Sequence, residues 1–193
     1  MNFSVRTVQS VHQLRQVYAF AAPILGLPVG KHTLEYYSQQ FAIAPQLLIF
    51  AERDGRICGC MLASVEDDHV LVGPVAVAED SRQAGIGSAM IREAEQRSKE
   101  MGQHTLILGA LEEAEIFYLS CGFQPNLFIQ LPKSNSVKRL RSVNDAYEVV
   151  WESQQGGWAR LMLRTPRIDK DLQREYERRF PDCSAQYVFV KHV

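Results

Sequence analysis

The run Arg82-Gln83-Ala84-Gly85-Ile86-Gly87-Ser88 has the composition of an anion-binding turn. It lies between an apolar stretch, His69–Ala78, and a stretch of helical spacing, so its glycines stand where a helix opens. Backbone N–H groups in a first helical turn have no intrahelical acceptor, and the helix dipole adds partial positive charge to them. Glycine lets the chain approach a ligand that any side chain would hold away. Arg82 contributes a full charge and Ser88 a hydroxyl, and such a turn suits a pyrophosphate. The same glycines would equally serve a plain strand-to-helix turn. Two other phosphate loops are excluded: no Gly-Lys-Ser/Thr closes the run, and the three-glycine spacing of a dinucleotide fingerprint is absent.

Other reactive side chains are dispersed. Tyr118 carries a phenol that stays protonated at neutral pH, but beside Phe117 and Phe123 it reads by itself as a core aromatic. Glu66, Asp68, His69, Glu112 and Glu113 could accept a proton, and each also reads as a solvated loop or cap residue. His12, His32, His104 and His192 have no partner pattern. The cysteines are Cys58, Cys60, Cys121 and Cys183. A lone Cys-x-Cys pair is a poor zinc signature, so free thiols and no metal site are expected.

The elements that must hold these residues follow from periodicity. Phe3–Thr7 alternates as a short strand, and Val11, Leu14, Val17 and Tyr18 give a helix over Val11–Phe20, broken by Pro23, Gly26 and Pro28. His32–Ile43 reads as a second helix. Leu47–Arg53, Arg56–Val65 and His69–Ala78 read as an antiparallel meander, its first hairpin turning at Asp54-Gly55. Ile86–Met101 is amphipathic and stops at Gly102. His104–Leu108 reads as a strand, Glu112–Ser120 as a helix and Phe123–Leu131 as a strand. A strand, crossover helix and second strand imply a parallel pair at the sheet centre. The fold class is therefore α/β (α+β) with a mixed sheet.

Composition then shifts. Lys133–Arg141, with Lys133, Lys138, Arg139 and Arg141 among Ser and Asn, reads as a linker. Tyr147–Glu152, Ala159–Arg164, Asp169–Phe180 and Gln186–His192 make a β-β-α-β tail too small for an independent core. The expected division is residues 1–132, a linker at 133–142 and an extension at 143–193. The tail is expected to pack on the main domain or on a second copy as a homodimer.

The chain of 193 residues is 46% hydrophobic, ordinary for a globular protein, which argues against disorder. Its 21 basic and 22 acidic residues balance to −1, so no general attraction to nucleic acid or an anionic membrane is expected. Four charges in the basic linker without interleaved aromatics are weak support for a nucleic-acid contact. No signal peptide and no long apolar span is read, and a cytoplasmic location is expected.

The run Val75-Ala76-Val77-Ala78-Glu79-Asp80-Ser81-Arg82-Gln83-Ala84-Gly85-Ile86-Gly87 resembles motif A of the GNAT superfamily of N-acetyltransferases, with Arg82, Gly85 and Gly87 at its three defining positions. Further on, Ala114-Glu115-Ile116-Phe117-Tyr118-Leu119-Ser120-Cys121-Gly122-Phe123 resembles motif B, whose core is an aromatic-Tyr pair followed by Gly-Phe. The order of elements also matches, and the resemblance covers residues 1 to about 131.

The resemblance implies a GNAT fold: an antiparallel N-terminal meander, then a parallel pair splayed by a bulge, with the pantetheine arm of acetyl-CoA in the opening. It assigns backbone pairing with pantetheine to Val75 and Val77, with the Val77 N–H as oxyanion donor. Arg82, Gln83, Ala84, Gly85, Ile86, Gly87 and Ser88 would bind the pyrophosphate. Tyr118 would protonate the departing thiolate. Many members place an Asn upstream of that Tyr, where this chain has Leu111. The implied activity is acetyl transfer from acetyl-CoA to a primary amine of a small molecule or peptide, by direct attack on the thioester. The alternative is a non-catalytic acyl-CoA sensor or interaction module of the same fold. The acceptor pocket is expected around Leu27–Tyr37 and the tail, with Glu35, Tyr36 and Tyr37 as candidate lining residues.

Overall fold

The computed structural model describes residues 3–132 and 137–193. Contacts divide the chain into two compact units, Met1–Ile107 with His192–Val193, and Leu108–Lys191.

The first unit begins with β1 (Ser4–Thr7), α1 (Val11–Leu25) and α2 (Leu34–Ile43). Ser10 caps α1 by accepting from the Gln13 N–H, and Thr33 caps α2 by accepting from the Tyr36 N–H, each filling a donor that the helix leaves open. Pro23, read as a breaker, lies inside α1; the helix runs to Leu25 and ends where Gly26 takes the left-handed conformation at φ 65°. One lost N–H is tolerated because the last turn is closed by Gly26 and Leu27, whose N–H groups donate to the Ala22 carbonyl.

β2 (Leu48–Arg53), β3 (Arg56–Glu66) and β4 (His69–Val77) follow as the expected meander. Asp54 and Gly55 turn the first hairpin with φ of 52° and 74°. After α3 (Ile86–Glu100), β5 (Thr105–Gly109) pairs parallel to β4, Val70 with Leu106 and Leu71 with Ile107. The strand order in this unit is β1-β2-β3-β4-β5, a mixed sheet. Alternation gives each face a partner. Leu48, Phe50, Cys60, Leu62 and Ala76 pack with Val8, Leu14, Val17, Ala21 and Tyr37 on the α1–α2 side. On the other side α3 comes so close to β3 that a Cβ on Gly59 would lie 2.7 Å from Ile86 Cγ2.

The second unit contains a 3₁₀ turn at Glu112–Ala114, α4 (Glu115–Ser120), β6 (Gln124–Pro132), α5 (Val137–Arg141), β7 (Glu148–Gln155), β8 (Trp158–Arg164), α6 (Lys170–Arg179) and β9 (Ser184–His192, whose last residue is counted with the first unit). Its strands are ordered β9-β6-β8-β7 and all pair antiparallel. The β-β-α-β tail thus shares one sheet with β6, which lies between β8 and β9. Part of the stretch read as a linker is α5, with Val137 and Leu140 buried and the Leu140 carbonyl accepting from the Tyr176 hydroxyl; Lys133 and its neighbours to residue 136 lie outside the described residues.

Candidate active site

The site expected from sequence starts on β4, where register decides which backbone groups are available. Ala78 N–H donates to the Cys58 carbonyl at 2.9 Å, and the partners step from there as Gly59 with Val77, Cys60 with Ala76 and Met61 with Val75. Antiparallel pairs alternate between hydrogen-bonded and non-bonded. Cys58–Ala78 is bonded, so Gly59–Val77 and Met61–Val75 are the non-bonded pairs. The N–H and C=O groups of Val75 and Val77 therefore point away from β3.

The next partner of Leu62 in this register would be Pro74, which has no N–H to give. The ladder slips at this point. Pairing resumes with Ala63 opposite Val72, leaving one extra residue on β4, a bulge at Gly73-Pro74. The registered β4–β5 pairs, at Val70 and Leu71, lie before this bulge, while β4 continues to Val77. Val75 and Val77 are half-buried.

Gly73 also brings a side chain to the bulge. A Cβ there would lie 2.5 Å from the Leu62 carbonyl oxygen and 2.7 Å from the Tyr37 hydroxyl. Tyr37 is 1% exposed, and its hydroxyl bonds to His32 Nδ1 at 2.6 Å. Sequence reading assigned His32 no partner; the two residues are five apart across a helix start, a spacing that marks no motif.

Beyond β4, a 3₁₀ turn at Glu79–Ser81 leads to the loop. Arg53 donates to the buried Ser81 hydroxyl at 2.7 Å, and Ser81 donates to Asp80 at 2.8 Å, tying the turn to the first hairpin. Gln83 and Gly85 both have positive φ, 61° and 80°, and Gly85 occupies the N-cap position of α3 without a side-chain cap. Ala89 N–H donates to the Gly85 carbonyl, the first intrahelical bond, and no acidic side chain occupies the first turn. Arg82 and Gln83 are exposed, Ala84 and Gly87 half-buried and Ile86 buried against β3. The loop thus presents backbone donors and one cation to solvent while Ile86 anchors it.

Within the second unit, Tyr118 is 7% exposed among Phe117, Phe123 and Phe189, whose ring centroids lie 5.0, 5.8 and 6.1 Å away. Its hydroxyl has no hydrogen-bond partner among the described residues. Burial, with a smaller contribution from Cys121, pushes its pKa up to about 12.

Of the carboxylates weighed as proton acceptors, Glu66, Asp68 and Glu112 are engaged. Glu66 pairs with Lys31 at 2.8 Å, and that bond holds its pKa below the ordinary carboxylate range. Asp68 is exposed and bonds to His69 at 3.0 Å. Glu112 and Glu113 occupy the 3₁₀ turn before α4, and Glu112 lies 3.5 Å from Lys170. All four cysteines are free thiols, and no cluster of metal-ligating side chains occurs among the described residues. No helix among them is long and apolar enough to cross a membrane.

Comparison with known proteins places residues 44–125 in a family described as the acetyltransferase (GNAT) domain. No curated protein matches. Among solved structures, Ard1 from Thermoplasma volcanium superposes with a TM-score of 0.55 at 19% identity, over 85% of this chain and 97% of that one. The ribosomal-protein-S18-alanine N-acetyltransferase of Escherichia coli gives 0.52 at 15% identity, over 88% and 98%. Arabidopsis thaliana Naa50, in complex with the bisubstrate analogue CoA-Ac-MVNAL, gives 0.54 at 14%, over 86% and 99%. At such identities the likeness is one of fold.

Proposed function

We propose that this chain, which matches the acetyltransferase (GNAT) domain over residues 44–125 and has the GNAT fold, transfers the acetyl group of acetyl-CoA to a primary amine by direct attack on the thioester. The observation that carries the reading is the register of β4: a proline-forced bulge, followed by two valines whose backbone groups turn away from β3. Such an edge can pair with an extended pantetheine arm as a further strand would. In this reading the Val77 N–H donates to the thioester oxygen, and its hydrogen bond strengthens as negative charge develops there. Arg82 and the backbone of Gln83, Ala84, Gly85, Ile86, Gly87 and Ser88 bind the pyrophosphate at the start of α3.

Tyr118 takes the leaving-group role by its position in motif B. A phenol at about 12 remains a donor throughout the neutral range. It donates to the thiolate as the C–S bond breaks. The acceptor is a primary amine on a small molecule or peptide, and the Leu27–Tyr37 segment is the part of the first unit assigned to it.

The experiment is amine-dependent release of free thiol from acetyl-CoA, measured across amino acids, polyamines and short peptides with free N-termini. Release above the hydrolysis rate supports the reading. Tight acetyl-CoA binding without release across the panel would instead identify a sensor.

A further inference from the structure

We infer that His32, held by Tyr37 over the β4 bulge, is the general base that takes the proton from the attacking amine; the inference rests on the acetyl-transfer reading above. The placement is visible at Gly73. A Cβ on that residue would lie 2.7 Å from the Tyr37 hydroxyl and 3.4 Å from His32 Cε1, so the edge of the imidazole lies directly above the bulge. Two residues later β4 presents Val75 with its backbone turned away from β3. The absence of a side chain at Gly73 is what admits the pair.

The imidazole is fixed rather than merely near. Tyr37 bonds to Nδ1 at 2.6 Å, its ring nearly parallel to the imidazole with an interplanar angle of 13°. Tyr18 of α1 donates to the His32 carbonyl at 3.1 Å, and Lys31 ties the same loop to Glu66 of β3. In the tautomer that this role requires, Nδ1–H donates to the Tyr37 hydroxyl oxygen and the lone pair of Nε2 is left open. Nε2 has no partner among the described residues, and His32 is half-buried. The titratable groups around this corner are Tyr18, Lys31, Tyr36, Tyr37, Cys60 and Glu66, the last paired with Lys31 at 2.8 Å. Burial and then the charge of Lys31 lower the His32 pKa, keeping the ring neutral and able to accept a proton at pH 7.

The step balances as follows. The amine lone pair forms the new C–N bond to the acetyl carbonyl carbon, and an N–H proton passes to His32 Nε2. The C–S bonding pair leaves on sulfur, which is protonated to the free thiol, and the imidazolium returns its proton to solvent.

The test uses the full chain, acetyl-CoA and the amine of the panel that gives the fastest thiol release. His32→Gln should lower kcat about 100-fold, a typical value for loss of a general base, while the Kd for acetyl-CoA stays unchanged. The acidic limb of the wild-type kcat profile, falling below the ordinary imidazole value of about 6.5, should disappear in this variant. Tyr37→Phe keeps the imidazole but removes its partner, and should displace that limb. Nitrogen-15 NMR of the wild-type histidines needs no variant: His32 should be protonated on Nδ1 at neutral pH, and a proton on Nε2 would overturn the assignment. Active wild-type enzyme with kcat and acidic limb intact in His32→Gln would remove the base and leave the acetyl-transfer reading standing. Acetyl-CoA binding without release by the wild type would remove both.

Discussion

Lys170 Nζ, in the first turn of α6, lies 2.9 Å from the carboxylate of Glu115, the first residue of α4. Glu115 precedes Tyr118 by three residues, close to one helical turn, and its side chain is 8% exposed. The tail is therefore joined to the helix that carries the phenol by an ion pair as well as through the sheet. Lys170 also lies over the Tyr187 ring at 5.7 Å. Removing the lysine strands a buried carboxylate, which costs more than the pair itself contributes. Lys170→Met should destabilise the chain by about 2 kcal/mol, less than for a fully buried pair because the lysine is itself partly exposed. Glu115→Gln in the same background should recover part of the loss. Denaturant unfolding of the single and double variants measures both.

Gly73→Ala tests the bulge. The added Cβ would meet the Leu62 carbonyl at 2.5 Å and the Tyr37 hydroxyl at 2.7 Å, and the first of these is backbone that cannot swing aside. A loss of about 1–3 kcal/mol is expected from overpacking, seen as a lower Tm. Gly85→Ala differs in kind: nothing lies within 4 Å, so its cost comes only from φ of 80° and should be about 1 kcal/mol.

Tyr118→Phe and Arg82→Ala should separate into kcat and KM. Loss of the phenolic hydroxyl leaves the aromatic packing in place and should lower kcat at least 10-fold, with acetyl-CoA binding preserved. Loss of the Arg82 charge should raise the KM for acetyl-CoA about 10-fold, the scale of one charge-assisted hydrogen bond, with kcat nearly unchanged. Steady-state kinetics at fixed ionic strength distinguishes them.

The fold should weaken in alkali. Burial raises the pKa of Cys60 and Tyr118 to about 12 and of Cys183 to about 11, and raises those of Tyr37, Tyr176 and Tyr187 as well. In the unfolded chain these groups release protons near their ordinary values, about 8.5 for Cys and 10 for Tyr. Between those values and the raised ones the folded state binds more protons, so stability falls as pH rises. The contribution is fully present below pH 8 and declines from about 9 towards 12. Urea midpoints across that range should drop steadily, and the drop should be shallower in Cys60→Ala after correction to its own value at pH 7.

Where each element falls was legible wherever periodicity and turn chemistry agreed. Asp54-Gly55 and Gly102 punctuate strands and helix as their conformational preferences require. The loop from Arg82 to Ser88 was readable because its composition departs from that of any core segment. What escaped notice depends on residues brought together by the fold. Pro74 reads as an ordinary member of an apolar strand until the ladder slips between Met61 and Ala63, where Pro74 would otherwise have faced Leu62. His32 has no sequence partner, because Tyr37 becomes its partner only after Thr33 starts the helix. The helix at Val137–Arg141 was hidden by charge: Lys138, Arg139 and Arg141 dominate the segment, while Val137 and Leu140 supply the buried side. α1 outlasted its proline because the turn-closing bonds to Ala22 are invisible in composition.

The most direct measurement incubates the purified protein with acetyl-CoA and a panel of primary amines, following free thiol and acetylated amine together by absorbance and mass spectrometry. Acetyl transfer requires the two to appear in equal amounts, at a rate that depends on the amine and falls in Tyr118→Phe. Thiol release that is independent of every amine, or saturable acetyl-CoA binding with no acetylated product, would show that this fold does not perform amine acetylation in this chain.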